Sequence, residues 1–229
     1  MGTAFHTAAE KYELSGREMT LAEMHEIYCE EYSNDVAKLC EDTPNFDFWF
    51  ASGPYRGEAD VERRFNVGQD QCGKYIAWYE KHPEQKPWVT PDGEPAVELE
   101  FDVDLDGVQV KGFIDLVVED EETGEVLVRD NKTGAMPGDD FQLGVYSVAL
   151  EVQHGIERPL SGDYWMGKSG KATHPFDLKE WGRDRVTEKF HEVDQKIRAE
   201  EFPPTEDPKN CERCPVALSC KFVNPSIDS

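Results

Sequence analysis

Basic residues are scarce in this sequence of 229 residues, whereas acidic residues are abundant. Lys and Arg number 24 and Asp and Glu number 48, which gives a formal net charge of −24 at pH 7. Affinity for nucleic-acid phosphates normally comes from Lys and Arg, so this composition argues against tight, nonspecific binding to polyanions. A bound divalent cation or a local cluster of basic residues would offset the negative charge of the chain where DNA binds. Two groups could gather in this way: Arg56, Arg63 and Arg64, and Lys168, Lys171 and Lys179.

Long hydrophobic runs are absent as well. No apolar stretch is long enough to span a bilayer, and the N-terminus lacks the pattern of a signal peptide. The glycine–lysine stretch at 167–171 lacks the spacing of a phosphate-binding loop, so we interpret it as a turn. We therefore expect a soluble, intracellular protein without a membrane partner, in which the six cysteines stay reduced or bind metal.

The composition supports one globular domain, because 38% of the residues are hydrophobic and the length suits a single domain or a domain with a lobe. We predict an α/β (α+β) fold, with 1–95 mostly helical, a sheet and a helix in 96–178, and a C-terminal helix and cysteine-bearing tail in 179–229. Apolar periodicity predicts helices at about 2–13, 21–39, 69–82, 140–154 and 179–200, and strands at 96–105, 108–119, 125–132, 163–166 and 172–176.

The meander formed by the first three predicted strands carries two acidic residues in a suggestive arrangement. Asp115 ends the sequence Gly-Phe-Ile-Asp, and Asp130 opens the sequence Asp-Asn-Lys-Thr-Gly. A glycine-containing turn at 121–124 joins the two strands, so they should be antiparallel neighbours. Because side chains alternate along a strand, Asp130 and Lys132 point to the same side, and Asn131 points away with its backbone carbonyl available as a ligand.

Two carboxylates and one ammonium at one edge of a sheet predict a divalent-cation site that cleaves phosphodiesters. Carboxylates and water are the ligands that suit Mg²⁺ or Mn²⁺. Such an ion lowers the pKa of a bound water and offsets charge on a pentavalent phosphate. Lys132 would stabilise that charge or orient the attacking water. The alternative is a surface hairpin with solvated charges, which are common in so acidic a chain.

Two further segments carry polar residues of interest. In the predicted helix at 140–154, Gln142 and Tyr146 stand four residues apart and therefore share one face, where they could hold a phosphate or a strand end. The alternative places Tyr146 in the core and Gln142 on the surface. His6 lies in the first predicted helix, where a lone histidine is ordinarily a packed or solvent-facing residue.

Taken in order, these features resemble the RecB-like branch of the PD-(D/E)XK nucleases. The matching motifs are Gly-x-x-x-His from Gly2 to His6, an acidic strand, Gly-x-x-Asp ending at Asp115, Asp-x-Lys-Thr-Gly from Asp130, and Gln-x-x-x-Tyr from Gln142 to Tyr146. The resemblance runs from Gly2 to about Cys220. It implies a restriction-endonuclease-like core, with a mixed central sheet flanked by helices and the catalytic sheet and helix in 96–178.

The resemblance also implies a role for each matching position. His6, Asp115 and Asp130 would be metal ligands together with the Asn131 carbonyl, and Lys132 would be the catalytic lysine. Gln142 and Tyr146 would support the site and contact the nucleic acid. The acidic strand offers either Glu98 or Glu100, and the choice stays open. The family often has Glu where this chain has Asp130, which is a mild departure.

Three cysteines near the C-terminus, Cys211, Cys214 and Cys220, form a C-x₂-C-x₅-C run. Thiolates at this spacing favour zinc or an iron–sulphur cluster over disulfides. The run resembles that of iron–sulphur members of the branch, including CRISPR-associated and phage exonucleases of RecB type, which implies a [4Fe–4S] cluster with zinc as the alternative.

The fourth ligand of such a cluster is missing from the expected place, because the relatives carry their first cysteine upstream of the Gly-x-x-x-His motif. An upstream segment is absent, or Cys29, Cys40 or Cys72 substitutes, or the cluster is absent or altered. Those three cysteines could equally be small buried hydrophobes.

Together these features predict a metal-dependent DNA exonuclease that acts on ends or single strands, in recombination, repair, or phage or CRISPR DNA processing. It would work in the cytoplasm of a bacterium or of a phage-infected host. We expect weak, salt-sensitive DNA binding, assisted by a recombination, replication or CRISPR partner protein. The alternatives are a noncatalytic DNA-end or partner-binding module that keeps the nuclease fold, and a zinc-stabilised interaction domain.

Overall fold

The computed structural model describes residues 1–49, 54–205, 210–211, 214 and 216–223. Within these residues the helices are α1 (Gly2–Leu14), α2 (Leu21–Asp42), α3 (Gly57–Tyr79), α4 (Phe141–His154) and α5 (Arg183–Arg198). The strands are β1 (Gln85–Pro87), β2 (Val97–Leu105), β3 (Val108–Asp120), β4 (Val126–Lys132), β5 (Ser161–Met166), β6 (Lys171–Ala172) and β7 (Phe176–Asp177). Short 3₁₀ turns lie at Phe46–Phe48 and Ala217–Ser219.

The strands form one mixed sheet with the main order β1-β3-β4-β5-β6, while β2 also pairs with β3 and β7 with β5. β2, β3 and β4 are the predicted antiparallel meander. The β2–β3 hairpin turns at Asp106 and Gly107, whose φ values of 54° and 95° suit a two-residue hairpin. β4 and β5 are parallel, and α4 connects them as a crossover helix. The carboxyl ends of β4 and β5 therefore meet at one edge of the sheet.

Helices α1, α2 and α3 cover one face of this sheet. Phe5 of α1 and Tyr75 of α3 pack in one buried cluster with Leu127 and Trp165 of the sheet. The opposite face is covered by α4 and α5, whose buried residues pack in a second cluster that includes Val128. Leu127 and Val128 are consecutive, so their membership in different clusters reflects the alternation of side chains along β4.

The Tyr28 ring of α2 packs directly on Gly68 of α3. A Cβ atom added to Gly68 of α3 would lie 2.0 Å from the Tyr28 ring of α2, so no larger residue fits at this crossing without a shift. The Tyr28 hydroxyl donates to the Arg64 carbonyl at 3.0 Å. The start of α2 is fixed by a capping box between Thr20 and Glu23. These contacts make the N-terminal helices one packed unit.

The element order agrees with the α/β prediction, but several boundaries differ. α3 begins at Gly57 rather than near residue 69. The apolar pattern misses the first half of this helix, because only Val61 and Phe65 are large apolar residues on its buried side. The mostly helical segment 1–95 also contributes β1 to the sheet. The strand predicted at 172–176 is divided between β6 and β7. No helix in the described part of the chain is both long and apolar enough to cross a bilayer.

A buried ion pair joins β4 to β5 in the centre of the sheet, and its arginine also contacts α3. The Arg129 guanidinium of β4 donates two hydrogen bonds of 2.7 Å to the Asp163 carboxylate of β5, and both side chains are almost fully buried. Arg129 also donates to the Tyr79 hydroxyl at 3.1 Å and to Gln85 Oε1 at 2.8 Å. All the polar neighbours of Arg129 lie on the face opposite Asp130, so this network supports the strand without entering the site.

Candidate active site

Glu98 and Asp115 lie opposite each other where the side-chain alternation of the β2–β3 pair is broken. The residues before and after Glu98, Val97 and Leu99, pack into the two different clusters, although strict alternation would keep them on one face. The residues that flank Asp115 on β3 behave in the same way. Glu98 has a φ of 43°, a left-handed value that few residues with a side chain adopt. The break brings both carboxylates to the end of α1.

His6 of α1 contacts both of these carboxylates. Its Nδ1 atom lies 3.0 Å from Glu98 Oε1 and 3.5 Å from Asp115 Oδ2. The preceding residue, Phe5, is fully buried and stacks on Trp165 of β5 with a ring separation of 5.6 Å, which anchors this part of α1. His6, Glu98 and Asp115 each offer one ligand atom within 4.8 Å of the other two; no other group of His, Cys, Asp or Glu does so in the described residues.

A closed ring of four side chains lies beside this group. The Lys132 ammonium donates to Gln142 Oε1 at 2.9 Å, and Gln142 Nε2 donates to the Tyr146 hydroxyl at 2.7 Å. The Tyr146 hydroxyl donates to Asp130 Oδ1 at 3.2 Å, and Asp130 Oδ2 lies 2.8 Å from Lys132 Nζ. The ring forms because Asp130 and Lys132 share one face of β4 while Gln142 and Tyr146 share one face of α4.

Asn131 connects the ring to the three-residue group. Its backbone N–H donates to Asp115 Oδ2 at 2.7 Å, so the carboxylate on β3 is held by the strand that carries Asp130. The Asn131 side chain is buried and points to the opposite face from its neighbours, as the alternation predicts. The three-residue group of His6, Glu98 and Asp115 and the ring around Lys132 therefore form one continuous site at the end of β4.

Proximity of like charges perturbs the titration of this site. Burial lowers the pKa of His6, but the Glu98 and Asp115 carboxylates outweigh it and raise that pKa to about 9. Burial raises the pKa of Asp115, the nearby His6 lowers it, and Asp130 and Glu98 raise it again, so that it reaches about 7. Burial and the two aspartates raise the pKa of Tyr146, which therefore remains a hydrogen-bond donor. A cation bound here would relieve the repulsion among the carboxylates.

The donor set fits a divalent cation. Ligands at metal–oxygen distances near 2.1 Å in an octahedron are about 3 Å apart when adjacent. The His6 Nδ1 atom lies 3.0 Å from Glu98 Oε1, which matches this spacing, and 3.5 Å from Asp115 Oδ2, which is somewhat longer. Asp130 Oδ2 is buried, and its contact in the described residues is the ion pair with Lys132 Nζ at 2.8 Å. Carboxylates suit Mg²⁺ or Mn²⁺, and the imidazole is a common ligand of transition metals. His6, Glu98 and Asp115 would hold the ion.

Comparison with known proteins decides the family. The sequence model of one protein family, the PD-(D/E)XK nuclease superfamily, matches residues 1–221. The chain belongs to the PD-(D/E)XK nuclease superfamily. It is also similar to the Gene 69 protein of Mycobacterium phage L5, at 48% identity over 245 residues, and to the Gene 69 protein of Mycobacterium phage D29, at 49% over 226 residues. Each alignment covers 96% of this chain and 83% of the relative.

The mixed sheet with helices on both faces is consistent with the restriction-endonuclease-like fold of the PD-(D/E)XK superfamily, as the sequence predicts. The predicted ligands His6 and Asp115 come together, and the predicted catalytic residues Asp130 and Lys132 lie beside them. Asp130 is outside the group of ligand atoms within 4.8 Å, so its role as a ligand stays a prediction, as does that of the Asn131 carbonyl.

The structure also selects between the two glutamates of the acidic strand and adds one residue. Glu98 contacts His6, whereas the Glu100 side chain is exposed. The choice could not come from the sequence, because alternation alone places both on the same side. Gln71 of α3 is buried and donates to the Thr133 carbonyl at 3.0 Å, next to Lys132. Nothing in the helical pattern around Gln71 distinguishes it from a surface residue.

The predicted cysteine site lies in the C-terminal tail, of which residues 206–209, 212–213, 215 and 224–229 are outside the described residues. Cys211, Cys214 and Cys220 are described and partly exposed, but their sulphur atoms do not form a group within 4.8 Å. The [4Fe–4S] cluster therefore stays a prediction.

The three candidates for a fourth cluster ligand lie in the N-terminal helices. Cys72 is fully buried in the N-terminal helical cluster, and Cys29 packs against it. Burial raises the pKa of the Cys72 thiol to about 12 and raises that of Cys29. Cys72 is therefore an apolar core group, whereas Cys29 is only partly buried. Cys40 is partly exposed near the end of α2.

Proposed function

We propose that this protein is a divalent-metal-dependent DNA exonuclease that acts on DNA ends or on the ends of single strands. Membership of the PD-(D/E)XK superfamily supports phosphodiester hydrolysis in general. The observation that carries the proposal is the continuous site at the end of β4. In this site the group of His6, Glu98 and Asp115 lies next to Lys132, which is held by the ring of side chains. The similar proteins come from mycobacteriophages, so we assign the proposed activity to phage DNA processing in the host cytoplasm.

The side chains would divide the work between the two halves of the site. His6, Glu98 and Asp115 would hold a cation, which would supply an acidified water and offset negative charge on the phosphate. Asp130 and Gln142 fix the Lys132 ammonium at 2.8 and 2.9 Å, so its charge is already oriented before substrate arrives. An oriented cation stabilises the added negative charge of the pentavalent phosphate better than one that must reorganise.

The direct test uses labelled linear and circular DNA, single- and double-stranded, with Mg²⁺ or Mn²⁺. We expect linear strands to be shortened from their ends and circular strands to resist. Asp115→Asn and Lys132→Met should abolish the products. Glu100→Gln, an exposed substitution on the same strand as Glu98, is the matched control purified in parallel. Digestion that survives both active-site substitutions would refute the assignment.

The strong acidic balance favours one alternative, a noncatalytic DNA-end or partner-binding module that keeps the nuclease fold. The same experiment separates the two functions. Binding of DNA ends without cleavage under any divalent cation would support the module. Cleavage of circular strands would instead leave a nuclease but remove the exonuclease assignment.

A further inference from the structure

Lysine residues occupy both ends of a row that crosses three strands at the edge of the active site. Lys132 of β4 pairs with Met166 of β5, and Met166 pairs with Lys171 of β6. Residues paired directly across strands point to the same face. Met166 packs with the cluster that contains Tyr164, whose ring lies 6.0 Å from Lys132 Nζ. Lys171 therefore lies on the face of the catalytic lysine, two strand spacings or about 10 Å away.

The turn that joins these strands is attached to the active site itself. The Gly167 N–H donates to the Lys132 carbonyl at 2.9 Å, and Lys168 follows at once. Lys168 and Lys171 are exposed, and within the described residues neither ammonium has a carboxylate within 4.0 Å. By contrast, Lys74 of α3, which donates to the Lys168 carbonyl at 3.0 Å, pairs with Asp70 at 2.6 Å.

The neighbouring acidic groups on this face accept hydrogen bonds from other residues and form no ion pair with Lys168 or Lys171 within the described residues. Asp139 and Asp140 lie near Tyr164, but Asp139 Oδ1 accepts from the Phe141 N–H at 3.2 Å and Asp140 Oδ1 accepts from Trp181 Nε1 at 2.9 Å. Lys168 and Lys171 thus contribute positive charge beside the active site of a protein whose net charge is −24.

We propose that Lys171, assisted by Lys168, binds a backbone phosphate of the substrate strand, an inference that rests on the nuclease function proposed above. Phosphates recur about every 3.4 Å of rise along one strand. A strand with its scissile phosphate at Lys132 that crosses the sheet edge toward β6 brings a phosphate two or three nucleotides away to Lys171. This contact supplies affinity and register without touching the reacting atoms.

The proposal accounts for how so acidic a chain could hold DNA. The arginine group considered from the sequence is less suited to the task, because Arg63 and Arg64 both bind the Asp60 carboxylate at 2.7 Å. Lys179, which the sequence grouped with Lys168 and Lys171, pairs with Asp177 at 3.3 Å beside the opposite end of β5. Lys179 is therefore a matched control, exposed and of the same residue type but remote from Lys132.

The experiment compares Lys171→Gln, Lys171→Arg and Lys179→Gln in the full chain. Binding of a fluorescent single-stranded oligonucleotide is followed by anisotropy in Ca²⁺ at several salt concentrations, and cleavage is followed in Mg²⁺ to give kcat and KM. Loss of one phosphate contact lowers the salt slope by about 0.7, which corresponds to about eightfold in affinity between 1 M and 50 mM salt. We expect Lys171→Gln to show this loss with kcat nearly unchanged, and the other two variants to resemble the wild type.

Equal effects of Lys171→Gln and Lys179→Gln would overturn the proposal, because they would reveal only the general charge of the protein. An unchanged salt slope in Lys171→Gln would overturn it too. If the wild type binds the strand through Lys171 but cleaves nothing, the contact stands and the nuclease function fails. If the wild type cleaves and Lys171→Gln has no effect on binding or KM, the function stands and this inference fails.

Discussion

The Nδ1 atom of His6 lies 3.0 Å from Glu98 Oε1, although the two residues are 92 positions apart in the chain. The contact joins the first helix to the second strand and completes the group of three candidate ligands. It depends on the unusual backbone of Glu98, which turns the carboxylate toward α1. Glu98 is thus the glutamate of β2 that belongs to the site.

Replacement of Glu98 and Glu100 by Gln should have unequal effects. We expect Glu98→Gln to weaken Mn²⁺ binding and to lower cleavage by about tenfold or more, because a charged ligand is lost. Glu100→Gln should leave both unchanged. Isothermal titration with Mn²⁺ and cleavage of labelled DNA measure the two effects. Equal losses in the two variants would remove Glu98 from the ligand set.

The ring of hydrogen bonds around Lys132 should matter for activity more than for stability. Gln142→Met removes the acceptor at 2.9 Å, and Tyr146→Phe removes the hydroxyl that joins Gln142 to Asp130. Loss of such supporting contacts should lower kcat by about 10- to 100-fold. Each should reduce the free energy of unfolding by only about 1 kcal/mol.

Tyr32→Phe is the control for Tyr146→Phe, because the hydroxyl of the buried Tyr32 also donates a hydrogen bond, to the Val61 carbonyl at 2.8 Å in the N-terminal helices. It should cost comparable stability and no activity. Steady-state kinetics and urea unfolding distinguish these outcomes. A similar loss of kcat in Tyr32→Phe would mean that the ring has no special role.

The stability of the metal-free protein should fall as the pH rises. Folding raises the pKa of Asp115 from about 3.9 to about 7 and that of His6 from about 6.5 to about 9. Both groups bind protons more tightly in the folded state, so their contribution is full at low pH. The Asp115 contribution is lost between about pH 4 and 7, and the His6 contribution between about pH 6.5 and 9.

Thermal unfolding in EDTA between pH 4 and 9, compared between the wild type and Asp115→Asn, measures the effect. The variant should lose less stability than the wild type between pH 4 and 7. Mg²⁺ competes with the protons, so its stabilising effect should increase with pH in the wild type and be small in the variant. If the stabilities of the two proteins changed with pH in the same way, the protonation of Asp115 would not be linked to stability as proposed.

The buried ion pair of Arg129 and Asp163 should be essential for folding. Asp163→Asn leaves the Arg129 charge uncompensated in the sheet and should reduce the free energy of unfolding by about 3–5 kcal/mol. The exposed pair of Arg198 and Asp194 on α5 has a similar distance of 2.6 Å, but Asp194→Asn should cost less than about 1 kcal/mol. Urea unfolding followed by circular dichroism measures both. Equal costs would contradict the importance of burial.

The cysteine tail should bind iron or zinc. Protein purified without oxygen is expected to contain iron and to absorb in the visible range. Each of the substitutions Cys211→Ser, Cys214→Ser and Cys220→Ser should lower the metal content. Cys72→Ala is the control, because Cys72 lies in the apolar core; it should reduce stability and keep the metal. Zinc without colour would select the alternative. Stoichiometric metal in all three tail variants would exclude the tail as the site.

The motifs of β4 and α4 could be predicted from the sequence, because each depends only on the geometry of its own strand or helix. Alternation along β4 places Asp130 and Lys132 together, and the helical repeat of α4 places Gln142 with Tyr146. The glycine-containing turn after β3 sets the antiparallel meander. These features predict the sheet edge and much of the site without knowledge of the tertiary structure.

The sequence by itself determined which side chains share a face within each element, since that follows from fixed strand and helix periods. Only the tertiary structure decided how the elements meet. The left-handed backbone at Glu98, the approach of His6 from α1, the donation by Gln71 and the row from Lys132 to Lys171 all depend on contacts between distant segments. Such contacts are set by the packing of the two hydrophobic clusters around the sheet, which no local pattern encodes.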